Sequence, residues 1–292
     1  MNIAVLSRNP ALYSTQSLAR AARVRHHFVR IIDYMNCDLI IDDNGLQISY
    51  HGQILKDIDA IIPRIGASVT NYGAAVIRQF EEKNVFTTLS SNALLKARDK
   101  LSCIQLLVSK GLKAPSSVIS NNSLMYKDLL KRFDGEEIVV KLVNGTHGIG
   151  VLLADNHRQA ESIMEAFNKG KQQAMMQEFI RESKGTDIRV FVVDGEIVGC
   201  MKRQARPGEF RSNLHRGGSA QVEVITDEEK EVALKAVEYL GLKIAGVDML
   251  RSKRGPLILE VNASPGLEGI ETTTKVDIAG RIIKFVERSV LN

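Results

Sequence analysis

Glu260 and Asn262 stand two apart in LEVNASPGLEGIE (259–271), at the end of an apolar run, and a Ser-Pro-Gly break follows at once. Residues two apart on a strand face the same side, so a carboxylate and an amide oxygen aim in one direction. The runs AGVDML (245–250) and PLILEV (256–261) are joined by RSKRG. An antiparallel hairpin centred on Arg254 sets Asp248 opposite Glu260. Two acids facing each other inside apolar strands repel unless a cation lies between them. Asp248, Glu260 and Asn262 are oxygen donors, and magnesium is usually held by one or two carboxylates together with substrate phosphates. Glu260, with two oxygens, can bridge a pair of ions. The plainer reading, still open at this level, is that both acids pair with surface Lys or Arg.

A second chemical signal lies upstream. KLVNGTHGIGV (141–151) carries Gly145, Gly148 and Gly150 between two strand-like runs. No Gly-Lys-Ser/Thr closes it, so it is not a Walker loop. No helix follows it, which disfavours a Rossmann turn. A glycine-rich hairpin brings backbone amides close to an anion. Protein kinases lay such a flap over ATP phosphates with a strand lysine beneath, a part Lys141 fits. The H-R-D and D-F-G motifs are absent, which excludes a protein kinase. A hairpin whose glycines merely satisfy turn geometry stays open beside the phosphate reading.

The third signal is cationic. Asp187 and Arg189 share a strand face. Lys202, Arg203, Arg206, Arg211, Asn213, His215 and Arg216 follow, the last four in FRSNLHRGG (210–218). Arginine suits bidentate binding of phosphate or carboxylate. An exposed basic loop is the bland reading. Lying between a phosphate-type loop and a metal-type hairpin, these residues form the expected far wall of one site.

The elements that must position these groups change character along the chain. The first hundred residues alternate strand and helix, which implies a parallel three-layer α/β unit. Its expected strands are NIAVLS, VRIIDY, AIIPRIG and VFTTLS, with a hairpin around Asn44-Gly45 and one continuous helix over 92–111. From about Ala114 the pattern is α+β with mostly antiparallel strands. The helix from Thr226 opens with a capping box to Glu229. A chain of 292 residues has room for two domains, and its apolar and charged content, 44% and 25%, is that of a soluble globular protein. The net charge of +5 is a weak hint of an acidic partner. With no Trp and 5% aromatics, no stacking surface for single-stranded nucleic acid is advertised. Three scattered cysteines favour neither a disulfide framework nor a zinc site. A cytoplasmic protein with no membrane and no DNA partner is expected.

The order of ARDKLS, VVKLVNGTHGIGV, QEFI, FRSNLHRGG, GVDML and LEVNASPGLEGIE resembles the ATP-grasp superfamily, and within it the RimK-type α-L-glutamate ligases that modify ribosomal proteins. The match runs through nearly the whole chain. It implies an N-terminal pre-ATP-grasp domain over 1–103 and a two-lobed ATP-grasp domain over 104–287, with lobes of about 104–180 and 181–287. It further implies that Lys100 and Lys141 contact ATP phosphates and that Glu178, Phe179 and Ile180 frame the adenine, mainly through the main chain. Asp187 would take the ribose hydroxyls, and Arg211, Ser212 and Asn213 would line the triphosphate and acceptor. Asp248, Glu260 and Asn262 would hold magnesium or manganese, as two ions. Arg203 is expected to stabilise developing oxyanion and phosphate charge. Glutamine is common in the family where this chain has His147, and aspartate where it has Glu209, departures that touch acceptor contacts. The implied activity adds L-glutamate, through an acyl phosphate, to the acidic C-terminal tail of a small-subunit ribosomal protein or to poly-α-glutamate. A tetramer is implied as well. The rival readings are a ligase for another small-molecule or cofactor acceptor, a small-molecule kinase, and a non-catalytic nucleotide sensor.

Overall fold

The computed structural model describes residues 1–143, 150–212, 214 and 217–291. Four short parallel strands open the chain: β1 (Asn2–Leu6), β2 (Phe28–Ile32), then, after an antiparallel insert, β6 (Ala60–Pro63) and β7 (Phe86–Thr87), in the order β2-β1-β6-β7. The insert is a three-stranded sheet of β3 (Cys37–Asp42), β4 (Gly45–Tyr50) and β5 (Gln53–Ile54). Its first turn is Asp43-Asn44, one residue earlier than expected, with Gly45 at φ +90° just beyond. Helices α1 (Tyr13–Val24) and α2 (Thr70–Glu82) cover the parallel sheet.

The helix expected over 92–111 is two helices, α3 (Ser91–Arg98) and α4 (Lys100–Ser109). Asp99 takes extended angles between them, and its carboxylate accepts from the main-chain N–H groups of Leu101 and Ser102. That is an N-cap, worth about 1 kcal/mol against alanine. An Asp with Ser three residues on was the available signal. The break puts Lys100 on the first residue of α4.

A small lobe follows. Its antiparallel sheet, ordered β10-β9-β11-β8, comprises β8 (Ser117–Ile119), β9 (Ile138–Leu142), β10 (Val151–Ala154) and β11 (Ala174–Glu178), backed by α5 (Tyr126–Leu130) and α6 (His157–Lys169). Ile138, Val140, Ala154, Ala174 and Met176 point to those helices and form a core of their own. The opposite face carries Lys141 and Gln177.

The large lobe holds five antiparallel strands ordered β14-β13-β12-β15-β16: β12 (Thr186–Val193), β13 (Glu196–Gln204), β14 (Ser219–Val222), β15 (Ile244–Ser252) and β16 (Gly255–Asn262). The β14 strand was not expected from sequence. Ile188, Val190, Val247, Met249 and Val261 pack on one side, in a core shared with Val237 of α7 (Asp227–Tyr239) and continuous with the N-terminal unit. The capping box of α7 forms as expected, with Thr226 Oγ1 accepting from Glu229 N–H and Glu229 from Thr226 N–H. The closing helices α8 (Glu268–Thr274) and α9 (Ile278–Leu291) lie on the other side, in a core shared with Leu18 of α1. The N-terminal unit and the large lobe therefore share both of their cores, while the small lobe keeps its own. No helix among the described residues is long and apolar enough to cross a membrane.

Candidate active site

The β15–β16 register brings Asp248 opposite Glu260 and Gly246 opposite Asn262, as expected. The route differs. The connection is a two-residue turn, Lys253-Arg254, closed by the Ser252–Gly255 pair with Gly255 at φ +94°, and not a loop of five residues. That turn alone would set Asp248 against Leu259. A bulge between the Asp248 and Met249 pairs inserts Leu259 and restores the facing acids.

Three more pairings extend one polar face across the large sheet. Arg189 lies opposite Asp248, Asp187 opposite Arg203, and Met201 opposite Arg189. The Arg189 guanidinium grips Asp248 through both oxygens, Nε to Oδ1 at 2.7 Å and Nη2 to Oδ2 at 2.6 Å. Arg203 grips Asp187 through both oxygens at 2.6 Å and reaches Asp248 Oδ2 at 2.8 Å. Ser212 Oγ donates to Asp187 Oδ2 at 2.5 Å. Asp187, Arg203 and Asp248 are each at most 5% exposed. Burial opposes ionisation of Asp248, but the Arg189 and Arg203 guanidiniums outweigh it and hold the carboxyl below its ordinary value. Burial likewise opposes the charge on Arg203, and Asp248 and Asp187 raise its pKa in spite of it.

Arg189 also faces Asn262. With its amide nitrogen toward Glu260, Asn262 donates to Glu260 Oε1 at 2.8 Å and accepts from Arg189 Nη2 at 3.2 Å. One guanidinium thus touches two of the three expected metal ligands, a donor set already gathered around a cation. Asp248 accepts three hydrogen bonds against roughly four lone-pair positions, which leaves a position on Oδ1. Two carboxylates and an amide with room on their oxygens fit a magnesium ion that keeps waters and substrate phosphates. No cluster of three or more His, Cys, Asp or Glu suited to a metal is found among the described residues, so any ion here relies on the amide and on substrate oxygens.

Lys141 faces this set from the small lobe. It is 7% exposed, and its Nζ donates to Gln177 Oε1 at 2.9 Å, with Gln177 held in turn by Ser117 Oγ at 2.8 Å. Burial pushes its pKa down to about 8, the neighbouring Lys100 pushes the same way, and Glu260 pulls upward. The two lysines and Glu260 therefore sense one another across the cleft. The flap base is closed by Leu142 N–H donating to Gly150 O, with Gly150 at φ +71°. Gly145, His147, Gly148, Asn213, His215 and Arg216 lie outside the described residues.

Arg211 crosses between the lobes. It holds Glu209 through Nε and Nη2 at 2.9 and 2.7 Å and donates from Nη1 to Val151 O at 3.1 Å, beside the flap. The Arg211 hydrogen bond takes the Glu209 carboxyl down to about 2. In the hinge, the Glu178 side chain accepts from Ser116 N–H and from Arg254 Nη2 at 2.6 Å, so it ties the hinge to the β15–β16 turn. Phe179 meets Phe210 edge-on at 6.2 Å, and Ile180 is buried. Sequence reasoning set Arg189 in the far wall of the site without a role, and did not assign Gln177 or Ser117. Arg189 was legible from its place two residues from Asp187; Gln177 and Ser117 left no signal.

Comparison with known proteins places this geometry. A RimK pre-ATP-grasp domain model matches residues 1–94, and a RimK-like ATP-grasp domain model matches 97–286. A protein of Hydrogenovibrio crunogenus named "Probable alpha-L-glutamate ligase" is 50% identical over 289 residues, covering 99% of this chain and 96% of its own length. One of Hahella chejuensis, "Probable alpha-L-glutamate ligase 1", is 52% identical over 288 residues, covering 99% and 95%. Among solved structures, the ATP-grasp ligase PsnB complexed with minimal precursor, Mg and ADP superposes with a TM-score of 0.77, covering 100% of this chain and 98% of that one. At 19% identity that likeness is one of fold.

Proposed function

The chain belongs to the RimK-like ATP-grasp family, and on that premise we propose that it is an ATP-dependent α-L-glutamate ligase extending an acidic C-terminal tail, that of a small-subunit ribosomal protein or of poly-α-glutamate, by glutamate. The observation that carries the reading is the buried Lys141, which among the described residues hydrogen-bonds a neutral amide, facing a donor set that already encloses a cation. An amine in that state gains most from a polyanion. The naming of full-length relatives as α-L-glutamate ligases supports glutamate as the amine.

In this reading Lys141 and Lys100 hold the phosphates of ATP, Phe179 and Ile180 frame the base, and Asp187, Arg211, Ser212 and Asn213 line the nucleotide. Asp248, Glu260 and Asn262 would hold the magnesium or manganese, for which the reading expects two ions. When bound, the metal neutralises charge on the transferred phosphoryl group. The acceptor carboxylate takes the γ-phosphoryl group of ATP, releasing ADP; the α-amine of glutamate then attacks the acyl carbon, and the C–N bond forms as phosphate leaves and the amine gives up a proton. Arg189 holds Asp248 and Asn262 side by side where they would take the metal, and Arg203 keeps Asp187 and Asp248 oriented while it faces the developing negative charge. Closure of the glycine flap excludes water, which would otherwise hydrolyse the acyl phosphate.

Intact-mass analysis tests the reading: a glutamate-ended peptide is incubated with the enzyme, ATP, magnesium and L-glutamate, with a no-peptide control. A ladder of added glutamates is expected. ADP release without amide would replace the ligase reading with a kinase, and no turnover with any acceptor would remove it.

A further inference from the structure

Arg64 and Arg98 lie beside the metal-type face and carry none of the contacts described above. Arg64 follows the N-terminal strand β6, and its Nη2 donates to Pro265 O at 2.6 Å and Ser264 O at 3.4 Å, in the Ser-Pro-Gly break after Asn262. Arg98 closes α3, and its Nη2 donates to Ile65 O at 2.6 Å. Among the described residues neither guanidinium makes an ion pair. Both are held by main-chain carbonyls alone, which supply hydrogen bonds but no counter-charge.

Two buried side-chain polar atoms among the described residues have no hydrogen-bond partner, Arg98 Nε and Ser264 Oγ. Their residues are both joined to the Arg64 stretch, Arg98 through its bond to Ile65 O and Ser264 through its carbonyl's bond from Arg64. A buried donor without a partner costs roughly 1–3 kcal/mol, and two such atoms on residues tied to the same stretch point to a ligand that satisfies them. Burial pushes the Arg64 pKa down to about 10, and Arg98 pushes it the same way. Burial also lowers that of Arg98, with Glu260 acting in the opposite direction. The two cations therefore repel each other within reach of the acid expected to hold the metal.

We propose that Arg64, Arg98 and the Ser264 hydroxyl form a carboxylate-binding site at the substrate end of the cleft, one that grips a carboxylate not consumed in the reaction. This rests on the ligase reading. L-glutamate reacts through its amine and keeps both of its carboxylates, while an acceptor ending in glutamate keeps its side-chain carboxylate. Planar guanidinium forks suit a carboxylate better than a point charge does. Lys100 and Lys141 serve the phosphate end, so this cluster is chemically distinct from them. The site joins the N-terminal unit to the large lobe, which gives that unit a direct part in substrate selection.

The test is steady-state kinetics on the full-length chain and on Arg98→Gln, Arg98→Lys and Arg64→Gln, varying L-glutamate and a glutamate-ended peptide separately. A rise of about ten- to a hundredfold in KM for one of them, with KM for ATP unchanged and partial rescue by Arg98→Lys, is expected from losing a charge-assisted pair. If the L-glutamate KM rises, the carboxylate belongs to the incoming amino acid; if the peptide KM rises, it belongs to the tail. Arg64→Gln can loosen the Ser264–Pro265 turn, so a melting temperature accompanies it and Arg98→Gln carries the test. A lowered melting temperature with both KM values unmoved would overturn the site. An inactive wild type would sink the ligase reading alone. The site is then read from the NMR shift of the Arg98 Nε–H on adding L-glutamate or peptide, and no response to either overturns it.

Discussion

The two sheets that face each other across the cleft bury charge in opposite ways. The large sheet buries Asp187 and Asp248 with their counter-ions, Arg203 and Arg189, in bidentate pairs. The small sheet buries Lys141 against a neutral amide. The first arrangement is complete within the protein, so removing one member strands a charge. The second, among the described residues, has no ion pair and only the more distant pull of Glu260, so an anion from outside relieves its stability cost. A charged group whose partner is missing from the fold marks where the ligand's charge belongs, whereas a compensated network marks the scaffold that orients it.

The largest effect that can break this contrast is Arg203→Met. It leaves Asp187 without its main partner and Asp248 with one of two, and a loss of about 3–5 kcal/mol is expected in urea unfolding. A loss below about 1 kcal/mol would show that the network is not holding the sheet. Lys141→Met is expected to behave oppositely, with stability near neutral pH unchanged or raised while ATP turnover falls by at least about a hundredfold.

The pH dependence sharpens the same point. The folded pKa of Lys141, about 8, lies below its ordinary 10.5. Below about pH 8 both folded and unfolded chains hold the proton, and the penalty is present in full. Between the two values the unfolded chain holds more, so stability rises with pH, by roughly 3 kcal/mol in all. The difference between wild type and Lys141→Met isolates this rise. The buried Cys37, Cys103 and Cys200, each pushed up to about 12 by burial, act with the opposite sign above about pH 9 and cancel in that difference. Equal pH profiles for the two proteins would contradict the burial of an uncompensated amine.

Two smaller perturbations separate the lobes. Gly150→Ala forces a side chain into φ +71°, with Leu142 Cδ1 only 2.5 Å from the new Cβ. A cost of about 1–2 kcal/mol is expected, seen as faster hydrogen exchange in β9 and β10 with the large sheet unaffected. Arg254→Ala removes the half-exposed tie to Glu178. About 0.5 kcal/mol or less is expected, and a larger change in the denaturation midpoint would make that tie a structural latch between hinge and turn.

Much of this was legible in the chain because local periodicity carries it. The strand alternation, the capping box at Thr226 and the same-face placement of Glu260 and Asn262 all follow from spacing within one element. Asp248 opposite Glu260 was legible only because two departures cancel, a tighter turn and the Leu259 bulge. The break at Asp99 was hidden because its flanks are equally helical, and only the capping geometry of its side chain divides them. Gln177, Arg64, Arg98 and the partners of Arg189 were hidden for a different reason: the pairings run to other strands or to another lobe, and no spacing within an element encodes them. The resemblance to a ligase family named candidate metal and nucleotide residues, and Arg203, but gave no role to Arg189, the guanidinium that touches both Asp248 and Asn262.

The most direct test of the central claim, that Lys141 awaits the charge of ATP, is calorimetric titration of ATP–magnesium at about pH 8.5 in two buffers of different ionisation enthalpy. With a free pKa of about 8 and a bound one at or above its ordinary value, wild type is expected to take up about 0.7 proton on binding. Lys141→Met is expected to take up close to none. The same proton count in both proteins, or no uptake in wild type, would contradict it.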